Sequence, residues 1–157
     1  MEKLCIRTGQ EGDLPELLAL YRALDREMTT LQPEFYCAPP RQEEALRRYL
    51  EAADADFLVA EQAGQLLGFA LVVNAGWTPE FSNLLPHRYA ELYDLVVAPT
   101  ARGQGIGSRL LAAAKRWARD RRLEYLELNV LSQNSAALRL YEAQDFYESS
   151  RTLRCML

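Results

Sequence analysis

One histidine, His87, and three cysteines without a C-x-x-C spacing leave this 157-residue chain poor in soft metal ligands. Zinc centres draw on clusters of those two residue types, so no metal site is expected. Cys5, Cys37 and Cys155 are odd in number, which fits free thiols in a reducing compartment better than a disulfide framework. No apolar run approaches the roughly 20 residues of a membrane-spanning helix. Met1-Glu2-Lys3-Leu4-Cys5 does not open like a secretory leader, so a cytoplasmic protein without a membrane partner is expected. A basic excess is also missing. The formal net charge of −4 argues against a general nucleic-acid binder. Arg116, Arg119, Arg121 and Arg122 do crowd together, but they read as a solvated helix face and helix end, where cations suit the dipole.

With 49% hydrophobic and 25% charged residues, the chain has the composition of a globular protein with a substantial core. Repeats, low-complexity stretches and linkers are missing, so residues 1–157 are read as one domain. Leu4 to Arg7 reads as a first strand. Asp13 then reads as an N-cap, with Pro15 in the first turn and Glu16 closing a capping box. Leu14, Leu17, Leu18, Tyr21, Leu24 and Met28 follow at helical spacing. Prolines 33, 39 and 40 make residues 29 to 40 a loop, and Ala45, Leu46, Tyr49 and Leu50 mark a second helix. Phe57–Glu61 and Leu66–Val73 read as an antiparallel hairpin around Gly64. A loop from Gly76 to His87, a strand from Glu91 to Ala98, a helix after Gly105, a strand from Tyr125 to Val130 and a helix from Ser135 to Ala143 complete the pattern, and Phe146 to Met156 leans towards a last strand. Helices fall between strands only in places, so the fold class is α+β, a mixed sheet with helices packed on it.

Glycine is sparse, yet Gly103, Gly105 and Gly107 alternate in one turn between the strand ending at Pro99 and the next helix. Small residues admit a ligand to the backbone, and the free N–H groups of a helix start bind anions. This turn lacks the lysine and hydroxyl of a triphosphate loop, and its G-x-G-x-G spacing differs from the dinucleotide G-x-G-x-x-G.

Arg102-Gly103-Gln104-Gly105-Ile106-Gly107 resembles the [QR]-x-x-G-x-[GA] motif of the GNAT superfamily of N-acetyltransferases. One strand later, Asn134, Ala137, Leu140, Tyr141 and Phe146 resemble the same family's N-x-x-A-x-x-[LF]-Y-x-x-x-G-F segment. Asp145 departs from it, standing where the family has glycine for a left-handed helix exit; aspartate is among the few residues that tolerate that conformation.

The resemblance implies a mostly antiparallel sheet with a splayed strand pair and helices on both faces. It implies acetyl-CoA as acyl donor, with Arg102 to Gly107 and Ser108 around the pyrophosphate, and Leu95, Val96 and Val97 pairing with the pantetheine arm. Asn134 would contact the cofactor, or simply cap its helix, and Arg139 would meet a phosphate or stay solvated. A phenol with pKa about 10 keeps its proton at neutral pH, so Tyr141 would protonate the departing thiolate, the alternative being a core tyrosine. A backbone N–H of Val96 or Val97 would stabilise the oxyanion. Glu91 ranks first as base and Asp94 second; strand alternation sends the two to opposite faces, so at most one enters the site. The acceptor would meet Phe35, Tyr36 and Tyr89, with Trp77, Phe81 and His87 nearby and Glu34 and Glu80 favouring a cation. The partner expected is an amine, small molecule or protein, with a homodimer left open. The competing reading is an acyl-CoA-binding sensor without turnover.

Overall fold

The computed structural model describes residues 2–76, 80 and 83–157. In chain order the elements are β1 (Cys5–Thr8), α1 (Leu14–Leu31), α2 (Glu43–Glu51), β2 (Ala55–Gln62), β3 (Gln65–Asn74), β4 (Tyr89–Val97), α3 (Ile106–Asp120), β5 (Tyr125–Leu128) and α4 (Ser135–Ala143), with short 3₁₀ turns at Glu11–Asp13 and Pro99–Ala101. The five strands form one sheet in sequence order. β1 to β4 are antiparallel, and β5 joins β4 in parallel.

The central strands are apolar on both sides because both faces are covered. Phe57, Val59, Phe69, Leu71 and Val73 meet Leu14, Leu17, Leu20 and Tyr21 of α1 and Leu46 of α2. Leu58, Ala60, Ala70 and Val72 meet Ile106, Leu110, Leu111, Ala114 and Trp117 of α3 on the other face. Phe57, Phe69 and Tyr21 form an aromatic knot, with Phe57 and Phe69 centroids 5.4 Å apart and Tyr21 to Phe69 at 4.8 Å.

Asp13 does not cap α1 as the sequence suggested. Its carboxylate accepts from Gln10 N at 2.8 Å and from both Nη atoms of Arg7 at 2.8 and 2.9 Å, clamping the preceding turn to β1. Glu16 accepts from Leu66 N at 2.8 Å, tying α1 to β3 rather than closing a capping box. The arginine cluster is only partly solvated: Arg121 lies 3.9 Å over the Trp117 ring and bonds Asp56 at 3.2 Å. Among the described residues, no helix is long and apolar enough to cross a membrane.

The expected last strand is missing. Residues 146–157 make no sheet bonds, since an alternating pattern becomes a strand only beside a partner with free backbone groups. Arg154 instead lies over Phe35 at 4.1 Å and donates to Gln32 Oε1 at 3.1 Å.

Two features of β4 position the site. Val72 faces Leu92 while Leu71 faces Asp94, so Tyr93 is an extra residue, a β-bulge. The bulge inverts the alternation. Ala90 and Leu92 face α3 upstream of it, Leu95 and Val97 face α3 downstream, and Val96 faces α1. The second feature is a split. β5 pairs with Tyr89 to Leu92 and stops, leaving the far edge of Tyr93 to Val97 without a strand neighbour.

Candidate active site

The split in β4–β5 opens beside the glycine turn. Gly103 and Gly105 both have φ of 76°, and a Cβ on either would meet nothing within 4 Å. Gly105 is the N-cap of α3 and has no side chain to cover the first amides, so the helix start is bare and electropositive. The cradle fits a diphosphate. Gly107 serves packing instead. A Cβ there would lie 3.0 Å from Leu140 Cδ2, so its absence lets α4 settle against α3. Gln104 is exposed, Ile106 buried and Ser108 half-buried. The Arg102 side chain fixes the turn, donating to Val97 O at 3.2 Å and to Glu27 Oε2 at 2.8 Å.

Main-chain direction selects among the strand amides. Ala98 N donates to Leu67 O at 2.8 Å across the sheet. N–H groups of an antiparallel strand alternate in direction, so Val96 points to β3 while Leu95 and Val97 point to the open edge. Val97 and Leu95 therefore offer their N–H groups to the split, and Val96 does not. Gly68 allows this packing, since a Cβ there would sit 2.5 Å from Val96 O.

Tyr141 enters from α4. The helix ends in a Schellman exit: Phe146 N donates to Tyr141 O at 3.0 Å, and Asp145 N to Glu142 O at 3.1 Å. Asp145 holds the left-handed φ of 66° anticipated for it. Phe146 packs on Tyr141 with centroids 5.7 Å apart, which fixes the phenol. Burial, and then the charge of Asp94, push the Tyr141 pKa up to about 12, so the hydroxyl stays a donor. Asn134 caps α4, accepting from Ala137 N at 3.2 Å, and Arg139 is exposed on the same helix.

Glu91 and Asp94 are not on opposite faces. Three positions would separate them in a regular strand, but the bulge at Tyr93 turns both towards the α1 side. Burial raises the Asp94 pKa, with Tyr21 and Arg41 pulling it back down. Glu91 is raised by burial and by Glu127, which stands directly opposite on β5. On the same face Tyr89 stacks flat on Tyr125, centroids 4.9 Å apart. Tyr93 meets Tyr49 of α2 edge-on at 5.9 Å. The wall around the carboxylates is tyrosine.

Phe35 and Tyr36 lie in the turn after α1, where Gln32 also donates to Gln133 Oε1 at 3.0 Å and draws that turn against the loop before α4. His87 pairs with Glu124 at 3.1 Å and meets the Tyr125 ring edge-on at 5.9 Å. Glu34 and Glu80 are both exposed. Trp77 and Phe81 fall outside the described residues. Sequence reasoning missed Glu127, Tyr125, Tyr93, Tyr49 and Arg41 at this site and read Tyr21 only as core. A polar tip within the apolar α1 stripe was the available signal.

A glycine-cradled helix start beside a split sheet, with a phenol and a carboxylate at the split, defines a coenzyme A-dependent acyltransferase of the α+β class. The chain belongs to the acetyltransferase (GNAT) family, which matches residues 17–146. It is 31% identical over 144 residues to the uncharacterized N-acetyltransferase YhfO of Bacillus subtilis (strain 168), covering 92% of this chain and 88% of that one. Its fold is similar to a mutant of the BH1408 protein from Bacillus halodurans, with a TM-score of 0.92, 18% identity and 98% and 99% of the two chains covered. It is also similar to the aminoglycoside N-acetyltransferase AAC(6')-Iy in complex with CoA, with a TM-score of 0.76, 19% identity and 100% and 96% covered.

Proposed function

We propose that this acetyltransferase passes the acetyl group of acetyl-CoA directly to a primary amine of a small cationic molecule, both substrates being bound together. Acetyl-CoA supplies the thioester, and its diphosphate would lie on the amides of Gly103 to Ser108. The observation that carries the reading is the inverted β4. It turns Asp94 and Glu91 to the α1 side, with the Asp94 charge reaching Tyr141, while leaving the Val97 N–H on the open edge.

Asp94 accepts the proton of the incoming ammonium, and its raised pKa suits it to that role better than an exposed aspartate. It takes precedence over Glu91 because its charge reaches Tyr141. Glu91, facing Glu127, adds the negative field that draws a cation into the split. The N–H of Val97 stabilises the developing negative charge on the carbonyl oxygen. Tyr141 gives its proton to the departing thiolate and regains one as the nitrogen sheds its second proton on becoming an amide. Stacked Tyr89 and Tyr125 offer their faces to an ammonium.

The test is coenzyme A release, followed by chromatography, with polyamines, aminoglycosides, amino acids, lysine peptides and free N-terminal peptides. Stimulation by a small polycation supports the reading. Stimulation by peptides alone overturns the acceptor class, and tight acetyl-CoA binding without any release points to a sensor.

A further inference from the structure

Tyr21 occupies a core position on α1 where a leucine would fill the space, and it is 2% exposed. Its hydroxyl donates to Asp94 Oδ2 at 2.7 Å. The Arg41 guanidinium lies over the same ring, 4.2 Å from its centroid. Arg41 is itself held by a two-pronged pairing, Nε and Nη2 donating to Asp25 Oδ2 and Oδ1 at 2.9 and 2.6 Å. Asp25, on α1 one turn after Tyr21, is 8% exposed. A continuous chain therefore runs from Asp25 through Arg41 and Tyr21 to Asp94.

The physical roles separate cleanly. A phenol has one proton to give, and here it goes to Oδ2; among the described residues nothing bonds Oδ1. That oxygen is the one left for a substrate proton. A cation over an aromatic face polarises the ring, and Arg41 makes the Tyr21 hydroxyl a stronger donor. The guanidinium fork keeps that geometry, which a lysine would not.

We propose that Tyr21 and Arg41 are positioning residues that hold the Asp94 carboxylate ionised and in one orientation, with Oδ1 free for the acceptor's proton. The proposal rests on the reading of Asp94 as base. Tyr21 and Asp25 from α1, Arg41 from the α1–α2 connection and Tyr141 from α4 interact with Asp94 directly; beyond them, Glu91 shares its face of β4, and Tyr49 of α2 acts on Tyr21 and on Tyr93. The neighbouring β3 side chains on that face, Phe69 and Leu71, are apolar. Tyr21 and Arg41 favour the charged carboxylate, whereas burial and Asp25 oppose it.

The test uses Tyr21→Phe, which keeps the ring and removes only the hydroxyl. Asp94 is followed by carbon-13 NMR of carboxyl-labelled aspartate, assigned with Asp94→Asn. The same proteins are assayed for coenzyme A release across pH with spermidine, and with the best amine of the panel if another is faster. The carboxyl midpoint in Tyr21→Phe should rise by about one pH unit. The acidic limb of kcat/KM should rise with it, while acetyl-CoA affinity stays within about twofold. Arg41→Gln should move both in the same direction, and Arg41→Lys should restore part of the change. An unmoved midpoint in a folded Tyr21→Phe protein overturns the proposal. A midpoint that moves while the rate profile does not overturns Asp94 as base, and with it any catalytic role for Tyr21.

Discussion

Replacing Asp145 with glycine should stabilise the protein, and the size of the gain follows from three terms. Asp145 sits at φ 66°, where a β-carbon costs roughly 1–2 kcal/mol, less for aspartate, whose short polar side chain tolerates the region. Its carboxylate also stands just past the C-terminus of α4, where a negative charge opposes the helix dipole by about 0.3–1 kcal/mol. Against these, glycine enlarges the freedom of the unfolded chain by about 0.5–1 kcal/mol. The side chain is exposed, so no packing is lost. The net is a gain of about 0.5–1 kcal/mol, or roughly 1–4 °C in Tm for a chain of this length. Asp145→Asn isolates the charge, with a smaller gain that shrinks in high salt. Asp145→Ala sheds the same charge but also removes the tolerance for positive φ, so against Asp145→Asn it should lose about 0.5–1 kcal/mol. Thermal and urea unfolding should therefore rank Gly above Asn, and Asn above both Asp and Ala. An alanine variant as stable as Asp145→Asn would refute a left-handed exit at this position.

Tyr141→Phe should lower kcat by roughly 100-fold or more while calorimetry finds acetyl-CoA affinity nearly unchanged; an unaltered kcat would remove Tyr141 from the chemistry. Gly105→Glu adds strain at φ 76° and negative charge at the α3 start, so acetyl-CoA should bind about 100-fold more weakly or worse. Retained binding would refute the cradle. Asp94→Asn should cut kcat/KM by about 10²–10⁴ yet raise Tm at pH 7. Burial lifts the folded Asp94 pKa above its ordinary value, so in the window between the two the folded state holds a proton that the unfolded chain has lost, and stability falls as pH rises through that window. The Tm advantage of Asp94→Asn should shrink as pH falls towards the ordinary carboxylate value, and a constant advantage would contradict the burial argument.

What the sequence revealed was local. The alternating glycines and the run from Asn134 to Phe146 each encode a turn or cap within a few positions, and Asp145 could be assigned its left-handed exit because that conformation admits few residue types. The missing strand at 146–157 and the shared face of Glu91 and Asp94 were illegible for a common reason: both depend on what lies across the sheet. No glycine or proline announces the bulge at Tyr93; it is visible only as Leu71 facing Asp94 while Val72 faces Leu92. Arg41, distant from β4 in sequence, could be tied to Asp94 only once α1 had brought Tyr21 beneath it.

The extra residue at Tyr93 also divides one strand into two compartments that can vary separately. In the proposed reaction, upstream positions 89 and 91, which pair with β5, would face the acceptor, whereas Leu95 and Val97 downstream would serve the thioester through outward N–H groups that every amino acid except proline supplies. On that reading, side chains in the first compartment would be exchangeable for new acceptors without disturbing donor handling in the second. A single-residue deletion at 93 would couple the compartments again, swinging Glu91 into the α3 interior or Asp94 out of reach of Tyr21.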